Sequence, residues 1–417
     1  MELWLAALGL VASLGGGYVG WRALDRSAVE KSTGRFLRER ADIYSRYGEL
    51  SELSADMHIE RRPALTRVGG SALLWDDTMR PPAPVPLRQV RSVWENAPRP
   101  ADRELLAAAT RTLPLQTKGS RYQRYSHALG DLKRPSLFED RVSFRLLEAD
   151  WCARSGPLLV FGEGHYFDLV DQNEAVAHEL AAATEAPRRR RPSWRRLPMR
   201  AALSQDPLSL HKRNLLPSIG TLTIRRTPDG RGTFFLLRRG GGQVATGERT
   251  YGVLPAGMFQ PASLSPLGYR RDLDIWRSVM REYNEEMLGA EEATGTGGQE
   301  VDYTAAPYGD LDRALSDGTL RVWCFGMGLE PLNLAVCLLT VAVFEASVFD
   351  SIFAGMVRQN EEGVIISGPS RHGAVEGLPL DEEAVRDLPR LQISPPAAGL
   401  LHLALEHRNM LLSDPDV

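Results

Sequence analysis

Residues 3–21 hold no charged side chain, and that run constrains the chain more than any other feature. At a rise of about 1.5 Å per residue a helix of this length reaches roughly 28 Å, close to the ~30 Å hydrocarbon core of a bilayer. Trp4, Tyr18 and Trp21 stand near its two ends, where aromatic rings favour the interface. Gly15, Gly16 and Gly17 weaken a helix but are tolerated in membrane spans. A cleaved signal peptide is the competing reading. It asks for a basic start and a small-residue cleavage site, whereas only Glu2 is charged before the run. Arg22 and Arg26 follow the run and no Lys or Arg precedes it, so the positive-inside bias places the rest of the chain in the cytoplasm. A second apolar run, residues 332–344, is too short for a simple span and rich in β-branched residues, which predicts a buried strand.

Of 417 residues, 43% are apolar and 25% charged, with a formal net charge of -3. That supports a real core and argues against general nucleic-acid binding, which needs a basic excess. Cys152, Cys324 and Cys337 are far apart and form no CxxC pair, so neither a zinc ribbon nor a disulfide framework is expected. Residues 25–118 are expected to form a juxtamembrane helix followed by a proline-rich, linker-like region, and residues 119–412 a globular domain. Within the latter, strand-like and helix-like stretches mix without regular βαβ alternation, which predicts an α+β class. The arginine-rich run 186–200 is expected to be a surface loop, either solvated or touching anionic lipid. The glycines of "RRGGGQ" are expected in a hairpin turn, since no Gly-Lys-Ser/Thr follows for a phosphate loop.

The stretch "MREYNEEMLG" (280–289) carries the chemistry. Asp272 or Asp274 can cap a helix here. Trp276, Met280, Tyr283 and Met287 recur on one apolar face. Glu282, Glu285 and Glu286, at i, i+3 and i+4, cluster on another. Like charges at this spacing repel, and Arg281 alone cannot neutralise three carboxylates. A divalent cation would, and Mg2+ takes hard oxygen ligands. The alternative is a charged helix face.

"REYNEE" resembles the heart of the Nudix box, Gx5Ex7REUxEExGU with U a bulky apolar residue, and "LPAGMF" (254–259) resembles the strand end that opens it. The resemblance implies a Nudix-like mixed sheet with helices, with the box over 254–290. It assigns Gly257 the box's first glycine, Arg281 and Glu282 the Arg-Glu pair, and Glu285 and Glu286 the Glu-Glu pair. The implied glutamates hold Mg2+ or Mn2+, the arginine orients them, and the reaction is hydrolysis of a nucleoside diphosphate linked to another group. The chain departs from the pattern. Gly257 and Arg281 are 24 positions apart (281 minus 257), where the box has about 14, and the excess falls in 260–272. The box's isolated glutamate has no clear counterpart; Asp272 and Asp274 are the nearest acids. More widely, residues from about 85 to 412 are similar to the C-terminal half of actinobacterial helix-turn-helix regulators, which share runs such as "FGEGHYFDLVDQNEAVAHE". There a DNA-binding module sits at the N-terminus; here the apolar segment does. A constant domain with an exchangeable module implies a nucleotide sensor as readily as an enzyme.

Elsewhere the signals are thin. Glu163 and His165 in "FGEGHYFD" are candidate site residues, or satisfied polar groups beside loop glycines. His178 begins "HELAA" without a second histidine, and no GxSxG elbow occurs. Asp302, Asp310 and Asp312 could add a metal contact or a base, with turn and cap roles as the default.

Overall fold

The computed structural model describes residues 27–100, 102–135, 138–184, 191–204, 206, 208–239, 250–263, 265–291, 300–359, 363–367, 377–389 and 392–414. The expected membrane segment, 1–24, lies outside them, and among the described residues no helix is long and apolar enough to cross a membrane. The class is α+β.

The central sheet has nine strands. Its middle is Val336–Glu345, flanked by antiparallel Leu320–Leu329 and parallel Ser218–Arg226. Nine consecutive residues of the Val336 strand are buried, which explains the unbroken apolar sequence: both faces are covered. Side chains alternate across Ser218–Arg226. On one face, a Cβ added at Gly220 would lie 3.7 Å from Leu400, in the closing helix Pro395–Glu406. On the other, Thr223 meets the Tyr283 hydroxyl at 2.8 Å. Three smaller sheets accompany it: Tyr251–Val253, Leu236–Arg239 and Gly363–Ile366 form one; Arg91–Trp94, Leu158–His165 and Val142–Asp150 a second; Leu115–Thr117 and Ser120–Arg121 a two-stranded third. The glycines of "RRGGGQ", residues 240–242, lie outside the described residues, but the strands on either side pair antiparallel, Leu236 opposite Val253.

The N-terminal third is built into this body. Helix runs over 27–45 and again over Tyr47–Arg61. Phe36, Arg40, Ile43, Tyr47 and Leu50, spaced three and four apart, are all buried. Arg40 donates to the Glu174 carboxylate, and His178 sits between Glu39 and the Tyr125 hydroxyl, 3.0 Å from each. The proline-rich stretch was expected to be linker-like; it instead supplies strands. Leu74–Trp75 and Val85–Pro86 both pair with Leu320–Leu329, and Leu73, Leu105 and Leu113 share one buried cluster with Leu222 and Phe344. Proline fits at Pro86 because Val85–Pro86 is a two-residue piece paired with one strand only and needs few donors.

The run 186–200 also departs from expectation. Residues 185–190 lie outside the described residues. Arg195 and Arg196 are exposed, and Arg191 pairs with Glu60. Arg200, however, is fully buried in helix Pro198–Leu203. It donates to the carbonyls of Pro331 (2.7 Å) and Val176 (3.1 Å), to that of Leu332, and to Ser54 Oγ (2.5 Å). Charge counting misses this because a guanidinium with several carbonyl acceptors can sit inside.

Candidate functional site

The short strand Ala256–Met258 lies antiparallel on Ser218–Gly220. After it the chain runs through 259–274 and enters helix Ile275–Glu282, which passes into a π-turn over Tyr283–Met287. Asp274 is the N-cap, accepting from Arg277 N at 3.1 Å. Trp276, Met280, Tyr283 and Met287 are all buried, so the apolar face is as the spacing predicts. The excess residues do not break the helix; they carry a helix of their own, Pro266–Arg271, capped by Ser265.

Two of the three glutamates come to the strand. The Glu282 carboxylate fills the space over Gly257, where an added Cβ would come 1.8 Å from its Oε1, so any larger residue there would displace the carboxylate. Glu286, 2% exposed, accepts from Ala256 N at 3.1 Å. Glu285 is half-buried and acts electrostatically on Tyr308. Burial first, and then the Glu285 charge, push the Tyr308 phenol up, against a hydrogen bond from Asn284 that lowers it. Among the described residues no group of three His, Cys, Asp or Glu side chains is arranged to hold a metal ion. Hard carboxylate oxygens are the right donor chemistry for Mg2+ or Mn2+. Glu282 at Gly257 and Glu286 at Ala256 N bring two such carboxylates to neighbouring residues of one strand.

The hydrogen bonds of Arg281 run to the inserted segment and its surroundings, to the Tyr303 hydroxyl (2.5 Å) and Gln260 O (2.6 Å), while Glu282 is one of the charges that favour its protonated form. Asp272 Oδ1 lies 3.7 Å from its guanidinium and accepts from Tyr303 at 2.9 Å. Asp272 Oδ2 accepts from Ala262 N at 2.8 Å. Burial works against the Arg281 charge, but Tyr303 and Asp272 raise it above its ordinary value. The two candidate acids thus divide the work: Asp274 caps the helix, and Asp272 holds the arginine. Tyr303 had no signal in the sequence, because it lies far along the chain from the residues it joins.

The remaining candidates have ordinary partners. Glu163 and His165 lie in strand Leu158–His165, not a loop, with His165 3.6 Å from Glu163 and 3.4 Å from Asp140. Asp302 accepts from Thr304, Asp310 pairs with Arg313, and Asp312 holds the Trp276 indole at 3.0 Å. Compared with known proteins, the chain matches no family model and no curated protein.

Proposed function

We propose that the chain is a Nudix-like protein, anchored by residues 1–24 with its main body in the cytoplasm, that hydrolyses a nucleoside diphosphate derivative with Mg2+ or Mn2+. The observation that carries the reading is the clasp of strand and helix: Glu282 seated over Gly257, and Glu286 fixed by Ala256 N. This is what a strand–loop–helix motif needs to present carboxylates at one place. A bound divalent cation would supply activated water and offset diphosphate charge. The protein's own part is orientation: a main-chain N–H aims one carboxylate, and a missing Cβ makes room for the other.

A second reading, a nucleotide sensor that binds without turnover, is favoured by Arg281. Its hydrogen bonds run to Tyr303 and Gln260, with Asp272 beside it. Replacing Glu285 and Glu286 together by Gln separates these readings from a plain charged face. On either site reading, Mn2+ affinity measured by calorimetry drops at least tenfold while the far-UV CD spectrum is retained. Product analysis with a panel of nucleoside diphosphate derivatives then decides between enzyme and sensor. Unchanged Mn2+ binding by the double variant would sink both. The anchor is tested by protease added to intact cells: the main body should survive, and its digestion from outside would overturn the orientation.

A further inference from the structure

A groove of about 410 Å3 that shares no lining residue with the glutamate helix is lined by Gln116, Ser126, Gly130, Asp131, Arg134, Phe138 and Phe167, among others. Its volume is within the range of small-molecule sites. Helix Tyr125–Leu132 forms one wall, the hairpin strand Leu115–Thr117 contributes Gln116, and Phe138 and Phe167, 4.7 Å apart, give an aromatic floor. Polar groups are spread along it. Ser126 is 2% exposed, and its hydroxyl has no hydrogen-bond partner among the described residues. Leaving a buried hydroxyl so costs about 1–3 kcal/mol, so this atom calls for an acceptor or donor from outside. Asp131 is about 7.5 Å further along the helix axis, and accepts from the Tyr122 hydroxyl at 3.1 Å. Beyond the helix end stands Arg134, exposed; its one hydrogen bond among the described residues is to the Phe138 carbonyl, and no carboxylate pairs with it there.

We propose that this groove binds a nucleoside monophosphate. Its lining holds a group suited to each part of that ligand. The phenylalanine floor offers a face for the base. The Gln116 amide and the Ser126 hydroxyl are donors and acceptors for the base edge. The Asp131 carboxylate accepts from ribose hydroxyls, and the Arg134 guanidinium matches a phosphate. An amino acid is too short to reach both ends, and a free phosphate leaves the aromatic floor unused. The site shares no residue with the glutamate helix, so it stands or falls apart from the proposed hydrolysis.

The test is calorimetry on the full chain in mild detergent with EDTA present, which silences any cation-dependent site. AMP is the probe, with adenosine and inorganic phosphate as comparators. AMP should bind saturably at one site. Arg134→Ala, at an exposed position, should weaken AMP at least tenfold and leave adenosine unchanged. Gly130→Leu should block both, because the nearest atom to an added Cβ is the Phe138 ring at 3.5 Å and a larger side chain fills the groove. Absence of AMP binding overturns the proposal. So does AMP binding that survives Arg134→Ala, or inorganic phosphate binding as tightly as AMP.

Discussion

Arg200 and Arg281 are both buried arginines, and the protein treats them in opposite ways. Arg200 has carbonyls, a hydroxyl and the His58 ring around it and, among the described residues, no carboxylate on its guanidinium; Glu179 instead accepts from the main-chain N–H groups of Met199 and Arg200. Burial pushes its pKa down to about 10, with only the more distant Glu179 charge opposing. Arg281 is also desolvated, yet Tyr303 and Asp272 carry it above the usual value. The difference separates two uses of a guanidinium. One is a multi-donor staple that satisfies the backbone where two segments meet; the other is a charge held in a set direction. Arg200 ties helix Tyr47–Arg61 to the 331–332 turn, so it contributes to the fold as a whole. Arg281 ties the inserted segment to the glutamate helix alone.

The largest effect should therefore come from Arg200→Ala. It leaves the Leu332 carbonyl without its Arg200 donor and removes one of two donors from the Pro331 carbonyl, which keeps Ser54 Oγ, in a dry interior. The orphaned buried acceptor and the lost side-chain volume together cost about 3–5 kcal/mol. Urea unfolding should show a large fall in midpoint. A cost under about 1 kcal/mol would mean water reaches these carbonyls, and the contrast between the two arginines would collapse.

The Arg200 environment also makes a pH prediction. His58 Nε2 lies 3.2 Å from Arg200 Nη1, so the imidazole must accept there and stay neutral. Burial first, then Arg200 and Arg61, lower its pKa to about 3 from 6.5. Below pH 6.5 the unfolded chain binds a proton that the folded chain refuses. This stability is complete above pH 6.5 and is lost progressively as pH falls toward about 3. The loss is on the order of 2–4 kcal/mol at the acid end. Urea midpoints at pH 7 and pH 4 measure it, with His58→Phe as the control whose slope over that window should flatten. An unflattened slope assigns the acid loss to other groups.

What was legible in the sequence follows the same division. Val336–Glu345 and helix Ile275–Glu282 announce themselves, since burial imposes a period or an unbroken run on neighbouring residues. The cap, narrowed to Asp272 or Asp274, and the apolar face of Trp276 are local patterns too, whereas Gly257 beside Glu282 is reached only through the motif resemblance. The docking of the N-terminal helices, the inward turn of Arg200 and the Tyr303 bridge depend on partners 22 to 283 positions away. Such partners leave no period in the sequence. The proline-rich stretch failed for a related reason: two-residue strands such as Val85–Pro86 are held by the Leu320 strand, and their own residues look like loop.

The smallest effect, and the sharpest test of the Arg281 side, is Tyr303→Phe. The change removes one oxygen and keeps the ring, over which Arg277 and Arg271 stand 4.9 and 5.4 Å from the centroid. Arg281 keeps its bond to Gln260 O, and Asp272 keeps Ala262 N. Only the bridge between charge and countercharge goes, leaving them 3.7 Å apart. Loss of such a hydrogen bond costs about 1–2 kcal/mol, well under the Arg200 change. If Arg281 is a positioning group, more should move than stability. The Glu282 carboxylate follows it directly on the same helix, and a guanidinium freed from Tyr303 can turn toward it. Mn2+ affinity should then fall several-fold in Tyr303→Phe, while Arg200→Ala, in urea-free buffer where it remains folded, leaves it unchanged. Equal Mn2+ affinity in Tyr303→Phe and wild type would reduce Arg281 to a second staple, alike in kind to Arg200 and different only in its acceptors.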